Sequence, residues 1–369
     1  MRAKAFGTRI CDLRYQPRSA EKVVLIIKKT IALIFCLCIM LQTMPAAYAQ
    51  TPDVSARNAV LMSECGQVIF EKNADKQALI ASTTKIMTAI IAIERLDSDA
   101  VVEIAADCCG IEGSSMYLKP GEHYSVDQLL KGLMLVSGND AALALACCAA
   151  GTVEEFVALM NEKAAQLQMH STSFVNPHGL NAEGHYSSAG DMAKLMAYCM
   201  KNPRFAELSA LRSCTVGEQT LVNHNKLLNE LEGCVAGKTG YTKAAGRCLV
   251  SCCRRGDTGL ICVTLSAPDD WNDHKKLYEW GFSKFCRRNA AEGLSFTVPL
   301  TSVGGGALEA VPEESLWVFV PREAELEACA ELPRFVFPPV NAGERAGNLK
   351  ILYDGNIIAE CRLVYAEAA

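Results

Sequence analysis

Ser82 and Lys85 stand three residues apart in the run Ala81-Ser82-Thr83-Thr84-Lys85-Ile86-Met87-Thr88-Ala89. Three residues make nearly one helical turn, so both side chains share a face, and the apolar residues that follow mark a helix beginning there. Ser82 then sits at the helix N-terminus, where unpaired N–H groups and the helix dipole favour negative charge. Lys85, one turn on, is placed to take the serine's proton once burial or another cation suppresses its own charge. Such a pair attacks a carbonyl carbon without a histidine. The spacing alone is common, because a capping serine followed by a surface lysine gives the same letters.

Two further stretches change its weight. Ser137-Gly138-Asn139 follows an apolar run over residues 129–136, and Lys238-Thr239-Gly240 precedes Tyr241-Thr242 and a strand-like segment. The order S-x-x-K, S-x-N, K-T-G resembles the signature of the penicillin-recognising serine enzymes.

The elements that must position these groups are also legible. Residues 58–63 and 67–72, separated by Glu64-Cys65-Gly66, read as an antiparallel hairpin. A helix from Ser82 to Leu96 is apolar nearly all round, as a centrally buried helix is. Ser125-Val126-Asp127-Gln128 fits a capping box opening a helix that ends near Val136. Another helix spans residues 140–149 and stops at Gly151, so Ser137 and Asn139 fall on a short inter-helix loop facing a cleft. Thr152-Val153-Glu154-Glu155 opens a further helix, residues 170–186 are irregular, and Ser188 begins one more. Residues 234–242, 247–253 and 260–266 read as strands. Strands at both ends with helices between them predict an α+β domain, one antiparallel sheet covered by helices. Beyond residue 288 come short β-type runs at 295–301, 316–320, 334–337, 349–353 and 356–365, with Asp354-Gly355 as a hairpin turn. They predict a small all-β domain.

Composition bounds the rest. The chain has 369 residues, half of them apolar and 21% charged, which suits a globular, core-forming protein of two domains. Its formal net charge is −5. Residues 1–49 carry a net +6, which leaves the remainder acidic and argues against nucleic-acid binding. The same 49 residues read as an export signal: a basic region ending at Lys28-Lys29, an apolar core from Thr30 to Met44, and Ala47-Tyr48-Ala49 as a cleavage site. An uncleaved leader would instead tie the chain to the membrane. Of 18 cysteines, 15 follow the leader, an odd number that cannot all pair internally. The doublets Cys108-Cys109, Cys147-Cys148 and Cys252-Cys253 fall where small or apolar residues would serve, so cysteine reads here as a small buried hydrophobe.

Beyond the three motifs, the intervening text resembles the D-alanyl-D-alanine carboxypeptidases, the low-molecular-mass penicillin-binding proteins of serine peptidase family S11. The likeness lies in residues 80–89, 132–142, Phe174-Val175-Asn176-Pro177-His178-Gly179-Leu180, Gly237-Lys238-Thr239-Gly240-Tyr241-Thr242 and Trp280-Gly281-Phe282. It implies a signal peptide over 1–49, a D,D-peptidase domain over 50–288 and an all-β domain over 293–369, exported to the outer face of the cytoplasmic membrane or the cell wall. It further implies that Ser82 attacks the carbonyl between two terminal D-alanines of a peptidoglycan stem peptide, with Lys85 as general base. Ser137 would pass a proton to the leaving amine, and Asn139 would hold the substrate amide or Lys85. Lys238 and Thr239 would bind the terminal carboxylate, and Gly240 would let the substrate strand approach. Backbone N–H groups of Ser82 and Tyr241 would form the oxyanion hole. No metal or cofactor enters this scheme, none of the six histidines is needed, and β-lactam antibiotics would act as covalent inhibitors.

Two departures stand out. Relatives often carry an arginine before the final helix that helps with the substrate carboxylate; Asp269-Asp270-Trp271 fills that region here. Many relatives continue into an amphipathic anchoring helix, whereas this sequence reaches Ala369 soon after its last strand-like run. Among rivals, a class A β-lactamase would carry an E-x-x-L-N stretch, which Asn181-Ala182-Glu183-Gly184-His185 does not match. A D,D-endopeptidase cutting crosslinks shares the motifs, and a non-catalytic cell-wall-binding module shares only the fold.

Overall fold

The structure is a computed structural model that describes residues 51–301 and 305–369; the leader lies outside them. Residues 52–369 form one compact unit. β1 (Asn58–Ser63) and β2 (Val68–Lys72) make the expected hairpin. A single 3-10 turn, Ala81–Thr84, leads into α1 (Lys85–Arg95), so the regular helix begins at the lysine and Ser82 lies in a tighter turn ahead of it. β3 (Val101–Glu103) and β4 (His123–Ser125) pair across the following loops. Ser125 and Gln128 complete the capping box of α2 (Val126–Leu135). After α3 (Asn139–Ala150) comes α4 (Val153–Gln166), where only half a box forms. There the Thr152 hydroxyl accepts from the Glu155 N–H, but the Glu155 carboxylate turns back to that hydroxyl and leaves the backbone N–H alone.

Ser188 caps α5 (Ala189–Cys199). Next come α6 (Pro203–Ala210), the hairpin β5 (Ser213–Val216) and β6 (Gln219–Val222), and the short α7 (Leu227–Glu230). β7 (Cys234–Thr242), β8 (Gly246–Arg255), β9 (Thr258–Leu265) and α8 (Asp270–Lys284) complete this part.

The main sheet is antiparallel in the order β2-β1-β9-β8-β7, with Val60 opposite Val263 and Lys238 opposite Val250. Every residue of β9 is buried, because both sheet faces are covered. Val250, Cys252, Ile261 and Val263 pack under the helical layer, while Leu249, Cys253, Leu260 and Cys262 pack under Leu277, Tyr278 and Phe282 of α8. The strands therefore show no polar alternation. Within the helical layer α1 is buried continuously from Lys85 to Ala92, so the base sits on a rigid mount. The cysteines of β8 and β9 behave as the sequence suggests, small apolar fillers on either face, while Cys65, Cys148 and Cys329 are exposed. All 15 cysteines among the described residues are free thiols.

β10 (Phe285–Asn289) leads out of α8, and β11 (Phe296–Pro299), β12 (Ala307–Pro312), β13 (Trp317–Pro321), β14 (Glu327–Glu331), β15 (Arg345–Tyr353) and β16 (Asn356–Tyr365) follow. The second sheet runs β11-β12-β16-β15-β14 around Val298, Leu349, Ile351 and Leu363. β10 pairs with β13, and Phe319 stacks on Phe285 at 5.7 Å, packing against the α8 side of the first sheet. The strand expected at 334–337 does not form: Val336 makes one isolated bridge to Leu300, and Pro338-Pro339 supplies no N–H to extend a ladder.

His274 of α8 is fully buried between Ser251 Oγ (2.8 Å) and Thr264 Oγ1 (3.0 Å), and burial pushes its imidazole down to about 3. The unfolded chain takes up this proton near pH 6.5 and the folded chain does not, so stability is fully present above pH 6.5 and is lost as pH falls toward 3. Between pH 6.5 and 5 the His274→Gln variant should escape a loss of roughly 2 kcal/mol that the parent shows. Denaturant melts at the two pH values measure it, and equal slopes in parent and variant would exclude this origin.

Candidate active site

The three motifs come together where the 3-10 turn, the α2–α3 loop and β7 meet. Lys85 Nζ lies 3.1 Å from Ser82 Oγ, 2.6 Å from Asn139 Oδ1 and 2.7 Å from the His178 carbonyl oxygen. Lys85 is wholly buried, whereas Ser82 is half-buried and open to a cleft. Burial is the first cause that holds the Lys85 ammonium well below the ordinary lysine range, the charge of Lys238 is the second, and Asp140 partly opposes both. Of the two partners expected for Asn139, it holds Lys85. Its Nδ2 donates to the Glu112 carbonyl at 2.6 Å, which fixes the amide's orientation.

Ser137 sits in the left-handed region (φ 62°) on the short loop between α2 and α3, and its buried Oγ has no hydrogen-bond partner among the described residues. A buried hydroxyl without a partner is costly unless a ligand or water completes it. The Asp140 carboxylate accepts from the Met116, Leu118 and Ala141 N–H groups at 2.9–3.1 Å, pinning the neighbouring loop. Lys238, 1% exposed, donates to the Thr239 carbonyl at 2.9 Å, and burial lowers it to about 7.

Gly240 has a different reason from the one the sequence suggests. A Cβ there would stand 2.9 Å from the Ser82 nitrogen and 3.0 Å from the Thr83 nitrogen. The glycine lets β7 close on the nucleophile's own turn, so its missing side chain faces the enzyme and not a substrate strand. Thr239 and Tyr241 line the outer side of the same cleft, Tyr241 with 65% of its surface exposed.

This cleft is about 300 Å³ and is walled by Ser82, Ser137, Thr239, Gly240, Tyr241, Ser114, His224, Arg247, Asp270 and Trp271. Larger surface cavities, of 540 and 630 Å³, contain neither Ser82 nor any other residue of the three motifs. Chemistry, not volume, marks the site.

Two contributors escape the motif reading. Arg247 of β8 stands opposite Tyr241 and reaches the wall formed by Asp270 and Trp271. Its Nε pairs with Asp270 Oδ1 at 2.8 Å, and its guanidinium lies 5.6 Å from the Trp271 ring. The cleft therefore holds an arginine, delivered from a strand and not from the loop before α8. The sequence signal was a charge at the start of the strand, ahead of the largely apolar run over residues 248–253. The second is the loop Asn176–Leu180, whose contribution to Lys85 is a main-chain carbonyl and so leaves no trace in side-chain types. The buried His185 ring and the half-buried His178 ring are held near 4, by burial first, and neither ring hydrogen-bonds Ser82 or Lys85 among the described residues. Glu183, the nearest counterpart to a β-lactamase glutamate, is exposed and forms no side-chain hydrogen bond among the described residues.

A sequence model of peptidase family S11, the D-alanyl-D-alanine carboxypeptidases, matches residues 45–269. The chain belongs to this family. It is similar to the D-alanyl-D-alanine carboxypeptidase DacF of Bacillus subtilis, 32% identical over 350 residues, which cover 87% of this chain and 90% of that one. DacD of Escherichia coli is 31% identical over 349 residues, 86% of this chain and 87% of the relative. Among solved structures, penicillin binding protein 6B from Escherichia coli superposes with a TM-score of 0.71 at 29% identity, covering 86% of this chain and 98% of the other. Penicillin binding protein 5 from Haemophilus influenzae gives 0.70 at 28%, covering 87% and 99%. Membership of this penicillin-binding family accounts for both the α+β fold with its trailing β-sheet and the order of the three motifs.

Proposed function

We propose that this protein is a serine-type D-Ala-D-Ala carboxypeptidase that trims the terminal D-alanine from peptidoglycan stem peptides. The observation that carries the reading is the wholly buried Lys85 amine 3.1 Å from Ser82 Oγ, in a chain of the D-alanyl-D-alanine carboxypeptidase family. Neutral Lys85 takes the Ser82 proton as Oγ bonds to the penultimate D-alanine carbonyl carbon. The oxyanion that forms is met by the Ser82 and Tyr241 N–H groups. Ser137 passes a proton to the departing amine, and D-alanine leaves. Water, deprotonated through the same base, then cleaves the Ser82 ester and restores the hydroxyl. A β-lactam opens on Ser82 in the same way but keeps its leaving group attached, so the ester persists.

For the terminal carboxylate the cleft wall offers one cation, Arg247, and the motif strand a second, buried one, Lys238. Lys238 titrates near neutrality, whereas a guanidinium stays charged throughout, so Arg247 is the steadier anchor, with Thr239 donating beside it. An export signal and action outside the cytoplasmic membrane complete the reading.

D-alanine release from a pentapeptide ending in D-Ala-D-Ala tests it, with the C-terminal amide of the same peptide as comparison. Release from the free acid should exceed that from the amide, and Arg247→Ala should shrink the difference by about tenfold or more. Cleavage of crosslinked dimers without release from the pentapeptide would move the assignment to a D,D-endopeptidase. Equal losses for acid and amide would remove Arg247 from carboxylate binding.

A further inference from the structure

The residue before the nucleophile is in a conformation that an L-amino acid rarely adopts. Ala81 has φ 46° and is 1% exposed. Its carbonyl carbon and oxygen share one rigid peptide plane with the Ser82 N–H, so whatever grips the oxygen also aims the N–H. Two groups meet that carbonyl. Thr84 Oγ1 donates to it at 2.8 Å. Gly179, at φ 88°, lies against it so closely that a Cβ there would come within 2.0 Å of the Ala81 oxygen.

Behind Thr84 stands His185, 2% exposed. Its Nδ1 accepts from the Val175 N–H at 3.1 Å, and its Nε2 lies 2.8 Å from Thr84 Oγ1. The Thr84 hydroxyl has spent its one proton on Ala81, so it accepts here and Nε2 carries the hydrogen. The ring is thereby fixed as the neutral Nε2–H tautomer, with Phe174 edge-on to it at 5.9 Å. Burial of the imidazole keeps it neutral through the physiological range. On the far side, Gly240 packs so near that a Cβ there would stand 2.9 Å from the Ser82 nitrogen.

We propose that His185 is a positioning residue for acylation: through Thr84 it locks the left-handed Ala81 carbonyl and so aims the Ser82 N–H at the developing oxyanion. The proposal rests on the reading of Ser82 as nucleophile. A chain of two hydrogen bonds, His185 Nε2–H to Thr84 Oγ1 and Thr84 O–H to Ala81 O, converts a strained residue into a fixed donor. Loss of either link leaves ground-state binding intact, because neither His185 nor Thr84 lines the cleft. It lowers the rate at which the carbonyl is attacked.

The test follows acylation by a fluorescent penicillin in stopped flow, separating the binding constant from the acylation rate constant. His185→Phe and Thr84→Val should each slow acylation about 10- to 100-fold with binding unchanged, the loss that a small misplacement of a reacting group causes. His185→Gln, which keeps an N–H donor, and Thr84→Ser, which keeps the hydroxyl, should recover most of the rate. The double variant His185→Phe/Thr84→Val should be no slower than the slower single, because both break one relay. Folded single variants that acylate at the parental rate would overturn the proposal. So would a Gln variant no faster than Phe, or losses that multiply in the double. If His185→Phe does not fold, the Thr84→Val and Thr84→Ser pair decides alone. A parent protein that takes no penicillin on Ser82 would instead remove the active-site reading itself.

Discussion

Replacing Ser82 by alanine is expected to lower D-alanine release by about a million-fold, the loss seen when the nucleophile of a serine peptidase is removed. The same variant should take no covalent penicillin label. The fold should hold, because Ser82 is half-buried and, among the described residues, its Oγ is engaged only by Lys85, which keeps Asn139 and the His178 carbonyl as partners. The experiment therefore pairs a D-alanine assay with mass spectrometry of the penicillin-treated protein and a thermal melt. Intact turnover in a folded Ser82→Ala protein would place the nucleophile elsewhere. A collapsed melt would say instead that the hydroxyl has a structural task that its one hydrogen bond does not reveal.

Much of this site could be read from side-chain types alone. Ser82, Lys85, Ser137, Asn139 and Lys238 are named by short motifs, and the fold brings all of them to one place because α1, the α2–α3 loop and β7 are rigid mounts. The first hairpin, α2's capping box and the paired strands β8 and β9 were legible from apolar runs and turn residues. What escaped did so for physical reasons. β14 is Glu-Ala-Cys-Ala-Glu, an edge strand with little to bury, so it carries no apolar signal. Residues 334–337 carry that signal and make only one isolated bridge, because Pro338-Pro339 cannot donate to a ladder, and Phe335 and Phe337 stay exposed, edge-on to each other. The 3-10 turn at Ala81–Thr84 is met by Gly179 and Gly240, nearly 100 and 160 residues away, where a Cβ would collide with it, and no local pattern encodes that approach. Main-chain groups are invisible for the same reason. The carbonyls of Glu112 and His178 hold Asn139 and Lys85 whatever their side chains are.

Arg247 is the most instructive of the omissions. Read along the chain, Asp269-Asp270-Trp271 offers no cation before α8, and the expected carboxylate contact looks lost. In space Asp270 orients a guanidinium that arrives from the adjacent strand, 23 residues earlier in sequence. A carboxylate and an aromatic face thus hold a guanidinium at a wall where the local sequence shows no cation.

Lys85→Met should slow acylation roughly 10²–10⁴-fold, the usual contribution of a general base. Methionine fills the buried volume without a charge, so the loss reports chemistry and not a cavity. In the parent the pH dependence follows from the two lysines. Lys85 must be neutral to accept a proton, and burial together with the Lys238 charge holds it well below the ordinary lysine range. Activity therefore falls as pH drops through that lowered value. Lys238 titrates at about 7, so free-acid substrates should bind less tightly as pH rises past it. Removing the Lys238 charge takes away one of the two influences that lower Lys85, and the acid limb of the acylation profile should then move to higher pH in Lys238→Ala. The sign is the decisive part. An acid limb that stays in place, or moves down, would mean that Lys85 is not the group whose deprotonation the reaction awaits, and a profile in Lys85→Met with the parental limb intact would say the same.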